Sequence, residues 1–357
     1  MSLATLSEIS PHQLTPGETV LISKLMRGEE TKLGRFARIG WIDELMLMTR
    51  CYGQTTSIPA VRQINQGVNF SLIKLSYEDG DRVWFKAVGE PNTHEYALTL
   101  ELSRHFPTYL PKLLGSFPQW QGWVAEDVAG QPLSDLDEVR AWESALEALA
   151  TLQKSAIERV ADLRRAGAKE WGCDRLASLA GPFFEDVQRA MLAQVSTKVR
   201  PLGGDELRSL KERIEVALIA LMGSGMPNTL LHGDIGHGNI IIAPNRIVFL
   251  DWAEAYIGHP FMSAEHLLAN CELSQPAVSQ KVTSLRQTYA SYWEDVISPE
   301  ELAKTTRLAP AVAAFGYAVT TWANAIHGPS PNDIWPTIRS MVRRIKRELD
   351  SVLEVAA

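Results

Sequence analysis

What this chain has little of narrows it first. Its only cysteines are Cys51, Cys173 and Cys271. They lie far apart, without the paired spacing of a zinc site. An odd count without a secretory leader predicts reduced thiols and a cytoplasmic setting. Residues 1–20 hold no continuous apolar core of the kind a secretory leader needs. The most membrane-like stretch, Leu308 to Ile326, is uncharged. It is also alanine-rich and interrupted by Pro310, Gly316, Thr320, Thr321 and Asn324, whereas a spanning helix wants ~20 strongly apolar residues. A helix buried in a helical core is the reading, and no membrane partner is expected. Basic excess is missing too. With 35 Lys and Arg against 42 Asp and Glu, the net charge of −7 recommends neither nucleic acid nor anionic lipid. No internal repeat or low-complexity segment is present.

What remains is an ordinary globular chain of 357 residues, long enough for two lobes with sizeable cores. Residues 1–56 read as a helical lead-in, with short helices at Glu18 to Met26 and Trp41 to Met48. From Ile58 the apolar period becomes two. Ile58 to Asn65, Phe70 to Tyr77 and Arg82 to Val88 predict an antiparallel meander, the second turn being Glu78-Asp79-Gly80-Asp81. Leu110 to Phe117 and Trp123 to Val128 complete the sheet. After Ser134 the pattern is helical, apart from the loop discussed next. Helices are predicted from Ser134–Asp135 with a capping box to Glu138, at Pro182 to Val199, at Asp205 to Met222, and from Ala264 onward. The basic last helix, Trp335 to Val355, reads as having a solvated face at Arg343, Arg344, Lys346 and Arg347.

Two places carry chemistry. On the third strand, Lys86 shares a face with Trp84 and Val88. An unpaired buried ammonium is costly, so Lys86 either snorkels to water or meets a carboxylate. Glu95, on the helix predicted from Thr93 to Phe106, is the first candidate, with Glu101 behind it. A rival role for Glu95 is a capping box with Asn92. The second place is His232-Gly233-Asp234-Ile235-Gly236-His237-Gly238-Asn239, followed by two apolar runs around Pro244-Asn245 and then Leu250-Asp251-Trp252. A hairpin there brings Asn239 beside Asp251, with Asp234 on the loop just ahead. An amide oxygen and two carboxylates suit a hard cation such as magnesium carrying phosphates.

His232-x-Asp234-x-x-x-x-Asn239 with Leu250-Asp251-Trp252 resembles the catalytic segment of the aminoglycoside phosphotransferase and choline kinase group, a branch of the protein-kinase-like fold. Gly258-His259-Pro260-Phe261 resembles that family's continuation, although Ser263 stands where an aspartate is common. The resemblance implies an α+β bilobal fold: residues 1–127 as a nucleotide-binding lobe with an antiparallel sheet and one main helix, residues 128–357 as a mostly helical lobe with the catalytic loop and acceptor site. It implies ATP and Mg2+ as cofactors and a small-molecule acceptor. Asp234 would take the acceptor's hydroxyl proton, Asn239 and Asp251 would hold the metal, and Lys86 paired with Glu95 would orient the phosphates. His232 would support the loop. The turn at Gly67 would cover the phosphates, and Glu126 to Val128 would form the link whose backbone meets the adenine.

The acceptor is not legible. A polycationic aminoglycoside wants acidic residues, for which Glu254, Glu265, Glu272 and Asp333 are available. A quaternary ammonium wants aromatic faces, and Trp252, Trp293, Trp322 and Trp335 are equally suited to core packing. Two other classes stay open. One is a metallohydrolase using His232, Asp234, His237, Asp251, His259 and His266 as ligands. The other is a catalytically idle nucleotide-binding module.

Overall fold

The computed structural model describes residues 16, 19–20, 23, 36, 40–52, 58–67, 70–90, 92–271, 278–325 and 334–354. The helix predicted at Glu18 to Met26, and Glu272 and Asp333, lie wholly or mainly outside these residues. The chain divides into two compact units between Ala129 and Gly130.

The first unit is built on strands β1 (Ala60–Gln66), β2 (Ser71–Ser76), β3 (Arg82–Ala87), β4 (Leu113–Phe117) and β5 (Gly122–Glu126), with helices α1 (Trp41–Thr49) and α2 (His94–His105). All neighbouring pairs are antiparallel, in the order β1-β2-β3-β5-β4. The β2–β3 turn is closed by the Tyr77 amide on Asp81 O at 2.9 Å, and Gly80 takes φ 91, a left-handed value that glycine adopts without strain. Alternation decides the faces. Ile73, Leu75, Val83 and Phe85 point into one core, together with Trp41 and Leu45 of α1. Strand β4 starts at Leu113 rather than Leu110, because Pro107–Tyr109 forms a 3-10 turn and Pro111 has no amide for a ladder.

The second unit is mostly helical: α3 (Val139–Ala156), α4 (Val160–Arg165), α5 (Cys173–Leu192), α6 (Gly204–Met222), α7 (Phe261–Ala269), α8 (Val278–Ser291), α9 (Pro299–Ala325) and α10 (Trp335–Glu354). Several boundaries differ from those predicted, the end of α5 at Leu192 rather than Val199 among them. Helix α3 begins at Val139, after a 3-10 turn at Leu133–Asp135, so the capping box from Asp135 does not form. Helix α5 begins nine residues before Pro182, which lies inside it. Proline costs a helix interior ~3 kcal/mol. The apolar stripe Leu176, Ala180, Phe183, Val187 and Met191 runs straight through it, and burying its large side chains, at roughly 1.5–3 kcal/mol each, outweighs that cost. Helix α7 starts at Phe261, not Ala264, at the end of a short strand.

The uncharged stretch of α9 buries Ala311, Val312, Phe315, Ala318 and Val319 in the helical core. Among the described residues no helix is long and apolar enough to cross a membrane. The face of α10 predicted to be solvated is largely engaged. Arg343 donates to Gln194 Oε1 at 2.6 Å, Lys346 pairs with Asp350 at 2.7 Å, and only Arg347 of the four stands exposed.

Candidate active site

Two small sheets of the second unit build one end of it. Strands β9 (Ile240–Ala243) and β10 (Arg246–Phe249) form the predicted hairpin, with Ile240 opposite Phe249 and Gln131–Pro132 (β6) on the other edge of β9. In the second sheet, β11 (Tyr256–Gly258) pairs antiparallel with β8 (Thr229–Leu231) and parallel with β7 (Lys169–Glu170). Chain order then leaves no freedom. The loop from β8 to β9 carries residues 232–239, and the loop from β10 to β11 carries 250–255. Both pairings bring these loops to the same end.

Contacts between the loops fix their register. The Leu250 amide donates to Asn239 O at 2.8 Å, so Asp251 lies one residue beyond the backbone partner of Asn239. Gly233 sits at φ 80, and a Cβ there would stand 2.0 Å from Glu254 O. Only glycine permits that approach. His232 is 1% exposed. Its Nε2 meets Leu250 O at 2.7 Å, its ring lies 4.6 Å from that of Trp252, and its amide donates to Ser263 Oγ at 3.1 Å. His232 thus ties the two loops together and is spent as a structural group. Ser263, the residue that departs from the family pattern, carries one of the hydrogen bonds holding the loop.

Asp234 is exposed at the head of this loop. Asn239 closes the turn behind it, donating Nδ2 to Asp234 O at 3.1 Å. With Nδ2 used in this way, the amide oxygen is the end left to face a cation. Asp251 has φ 62, unusual for a non-glycine residue and a place where strain is held by its surroundings. An amide oxygen and a carboxylate on adjacent, rigidly held backbones make a donor set fit for magnesium.

In the first unit, Lys86 Nζ lies 2.5 Å from Glu95 Oε1, and Glu95 is 2% exposed. The Glu95 carboxylate is therefore in an ion pair. Thr93, at the start of α2, makes no side-chain cap, and the Glu95 amide donates to Asn92 O at 3.0 Å. Glu101 instead bonds Arg104 and His105 on its own helix. Glu126 accepts the Lys112 amide at 2.7 Å, and Asp127 is gripped by Lys74 at 2.8 Å and Trp84 Nε1 at 2.6 Å. Burial pushes the Asp127 carboxyl up, but those two hydrogen bonds outweigh it and hold the group below the usual carboxylate range. Gly67 lies in the β1–β2 turn, its amide on Phe70 O at 2.9 Å, and Val128 lies two residues past β5.

The histidines do not assemble as a metal centre. His232 is tied down as described, the His266 ring lies tilted against that of Tyr317 at 4.5 Å, and His259 is buried beside Phe261. Among the described residues, no three of the six expected ligands bring donor atoms together at metal-binding range. Trp252, Trp293 and Trp322 are buried in the core rather than forming an aromatic wall.

A cavity of about 350 Å³ opens beside Asp234 within the second unit. His266, Asn270, Tyr317 and Arg344 line it. Of these, sequence reading singled out His266 only as a metal ligand and Arg344 only as solvated. A polar node behind the site also escaped it. Gln153, fully buried on α3, donates to Pro260 O at 3.1 Å and accepts the Tyr289 hydroxyl at 2.6 Å. The one available signal was a glutamine on the buried stripe of an otherwise apolar helix face.

This combination of an antiparallel sheet unit, a helical unit and an Asp-Asn-Asp loop pair is the α+β, protein-kinase-like fold. Similar folds occur in an ethanolamine kinase of Plasmodium vivax (TM-score 0.58, 12% identity, 97% of each chain covered). They occur also in a choline kinase of Cryptosporidium parvum (0.56, 14%, 87% of this chain and 98% of that one). A third is a macrolide 2'-phosphotransferase of Brachybacterium faecium (0.52, 16%, 83% and 96%). At these identities the likeness is one of fold. No curated protein matches the chain in sequence. The profile of the phosphotransferase enzyme family (APH) matches residues 62–294, and the chain belongs to that family.

Proposed function

We propose that the protein is an ATP-dependent small-molecule kinase, moving the γ-phosphoryl group of ATP to a hydroxyl of its acceptor. The observation that carries this reading is the locking of the two loops, with Asn239 O on the Leu250 amide and Gly233 against Glu254. It supports Asp234, Asn239 and Asp251 acting as one group. Asp234 would orient the acceptor hydroxyl and receive its proton as the new oxygen–phosphorus bond forms. The bond between the γ-phosphorus and its bridging oxygen breaks, and ADP leaves with that electron pair. Asn239 Oδ1 and the Asp251 carboxylate would hold magnesium, which neutralises phosphate charge. Lys86, held by Glu95, would orient the phosphates. Gly67 in its turn, and the Glu126–Val128 link, are proposed to cover the phosphates and meet the adenine. Such catalysis is mainly positioning and charge neutralisation.

Asp234→Asn tests it directly. A positioned general base contributes about 10²–10⁴ in rate. The variant should lose that much of kcat on any accepted hydroxyl compound while binding ATP with magnesium as the parent does, measured by calorimetry. Unchanged turnover would remove Asp234 from the mechanism. ATP binding by the parent without phosphorylation of any hydroxylated compound would favour an idle module.

A further inference from the structure

The cavity beside Asp234 has a charge pattern that bears on the acceptor. Its carboxylates are Asp234 and Glu265. Glu265, 2% exposed, is clamped by Arg286 at 2.5 and 2.8 Å. Burial pushes the Glu265 carboxyl up while Arg286 pulls against that push. Paired or protonated, Glu265 brings no free negative charge to the cavity. His266 is neutral near pH 7, because burial drops it to about 4. Asp234 pulls the His266 imidazole up and Arg344 pushes it down, each less than burial does. Arg344, on α10, is a cation lining this space. It pairs with Glu348 on its own helix at 3.7 Å and acts electrostatically on Glu265, and that one long contact leaves most of its five N–H donors for a ligand in the cavity. His237, Asn270, Tyr317 and Met341 are also among its walls.

Among the described residues the lining offers a polycation only Asp234 beside the Arg286-bound Glu265, and no tryptophan lines it to cage a quaternary ammonium. A cavity of about 350 Å³ stands at the low end of the ~300–1,000 Å³ of small-molecule sites. We infer that the acceptor is a small hydroxylated anion, its carboxylate or phosphate group set against Arg344 while its hydroxyl meets Asp234. This rests on the phosphotransfer reading above.

The test pairs acids with neutral counterparts: glycerate, gluconate, threonine and glucose 6-phosphate against glycerol, gluconamide, threoninamide and glucose. Each is measured for binding by calorimetry and for phosphorylation with ATP and magnesium. At least one acid should be favoured about tenfold or more over its partner, the size of a charge-assisted hydrogen bond. Whether carboxylates or the phosphate ester lead identifies the anion. In Arg344→Met that preference should collapse towards one, Arg344→Lys should restore part of it through KM rather than kcat, and the exposed Arg347→Met should keep it. No acid preferred over its neutral partner in the parent protein, or a preference surviving Arg344→Met, overturns the inference. If Arg344→Met does not fold, the parent's acid-to-neutral ratio decides. Acids bound selectively but never phosphorylated would sink the kinase reading and leave the anion site standing. Phosphorylation without acid preference would do the reverse.

Discussion

Glu95 and Asp234 are both carboxylates proposed to serve phosphoryl transfer, and they are held by opposite means. Glu95 is 2% exposed and is fixed by the side chain of Lys86. Asp234 stands exposed on a loop whose shape is set by backbone: Leu250 on Asn239, Gly233 pressed to Glu254, His232 bonded at both its amide and its ring. A buried acid depends on its partner, because burying an unpaired charge is costly. An exposed acid on a braced loop depends on the brace. Stability and catalysis should therefore separate differently in the two units.

The largest effect expected from that contrast is at Lys86. Lys86→Met removes the ion-pair partner of the buried Glu95 carboxylate and should cost about 3 kcal/mol, the low end for breaking a buried pair, since Lys86 keeps some contact with water. The double variant Lys86→Met/Glu95→Leu should recover most of that stability in urea titrations without recovering ATP affinity. Asp234→Asn, by contrast, should shift stability by less than about 0.5 kcal/mol, as surface substitutions do. Equal destabilisation by Lys86→Met and Asp234→Asn would erase the distinction.

The same contrast explains what was legible in the sequence. Period-two alternation and the Asp79-Gly80 turn placed β1 to β3 within two residues at their ends, and Lys86 with Glu95 could be paired as strand and following helix. The hairpin placed Asn239 beside Asp251 because a short loop between two apolar runs fixes register. Helix starts were harder. Pro182 looks like a first-turn proline, and only tertiary burial of Phe183 and its stripe shows that the helix runs through it. Ser263, Tyr317 and Arg344 were missed for a related reason. They reach the site from α7, α9 and α10, and no spacing in the chain records which helix face a distant loop will meet.

Ser263 sharpens the comparison on the loop side. Removing its hydroxyl leaves the buried His232 amide without its acceptor, a loss of about 1–3 kcal/mol. Ser263→Ala should lower kcat together with stability, while ATP binding changes little. A loop that keeps full kcat in this variant is not braced from α7, and the contrast with the ion pair weakens accordingly.

The smallest effect is one of pH, and it separates the units by the pH window in which each loses stability. His259, buried at the start of α7 with neither ring nitrogen bonded, titrates at about 4 because burial disfavours its charged form. His266, within α7 itself, is lowered likewise. Unfolded histidine takes its proton near 6.5, so these groups leave stability intact above pH 6.5 and erode it as pH falls towards 4. Between pH 7 and 5.5 each should remove about 1 kcal/mol. In the first unit Asp127 is held below its ordinary value, so its contribution lasts until pH falls beneath the ordinary carboxylate range. Mild acid should thus loosen α7 and the loops it braces while β3 stays protected. Hydrogen exchange at pH 7 and 5.5, corrected for the intrinsic rate, reads this segment by segment. His259→Leu should halve the loss of protection across 256–269 and leave 82–87 as it was. Equal loosening of both segments, or a full loss persisting in His259→Leu, would mean that neutral burial of this histidine is not what sets the acid sensitivity of the second unit.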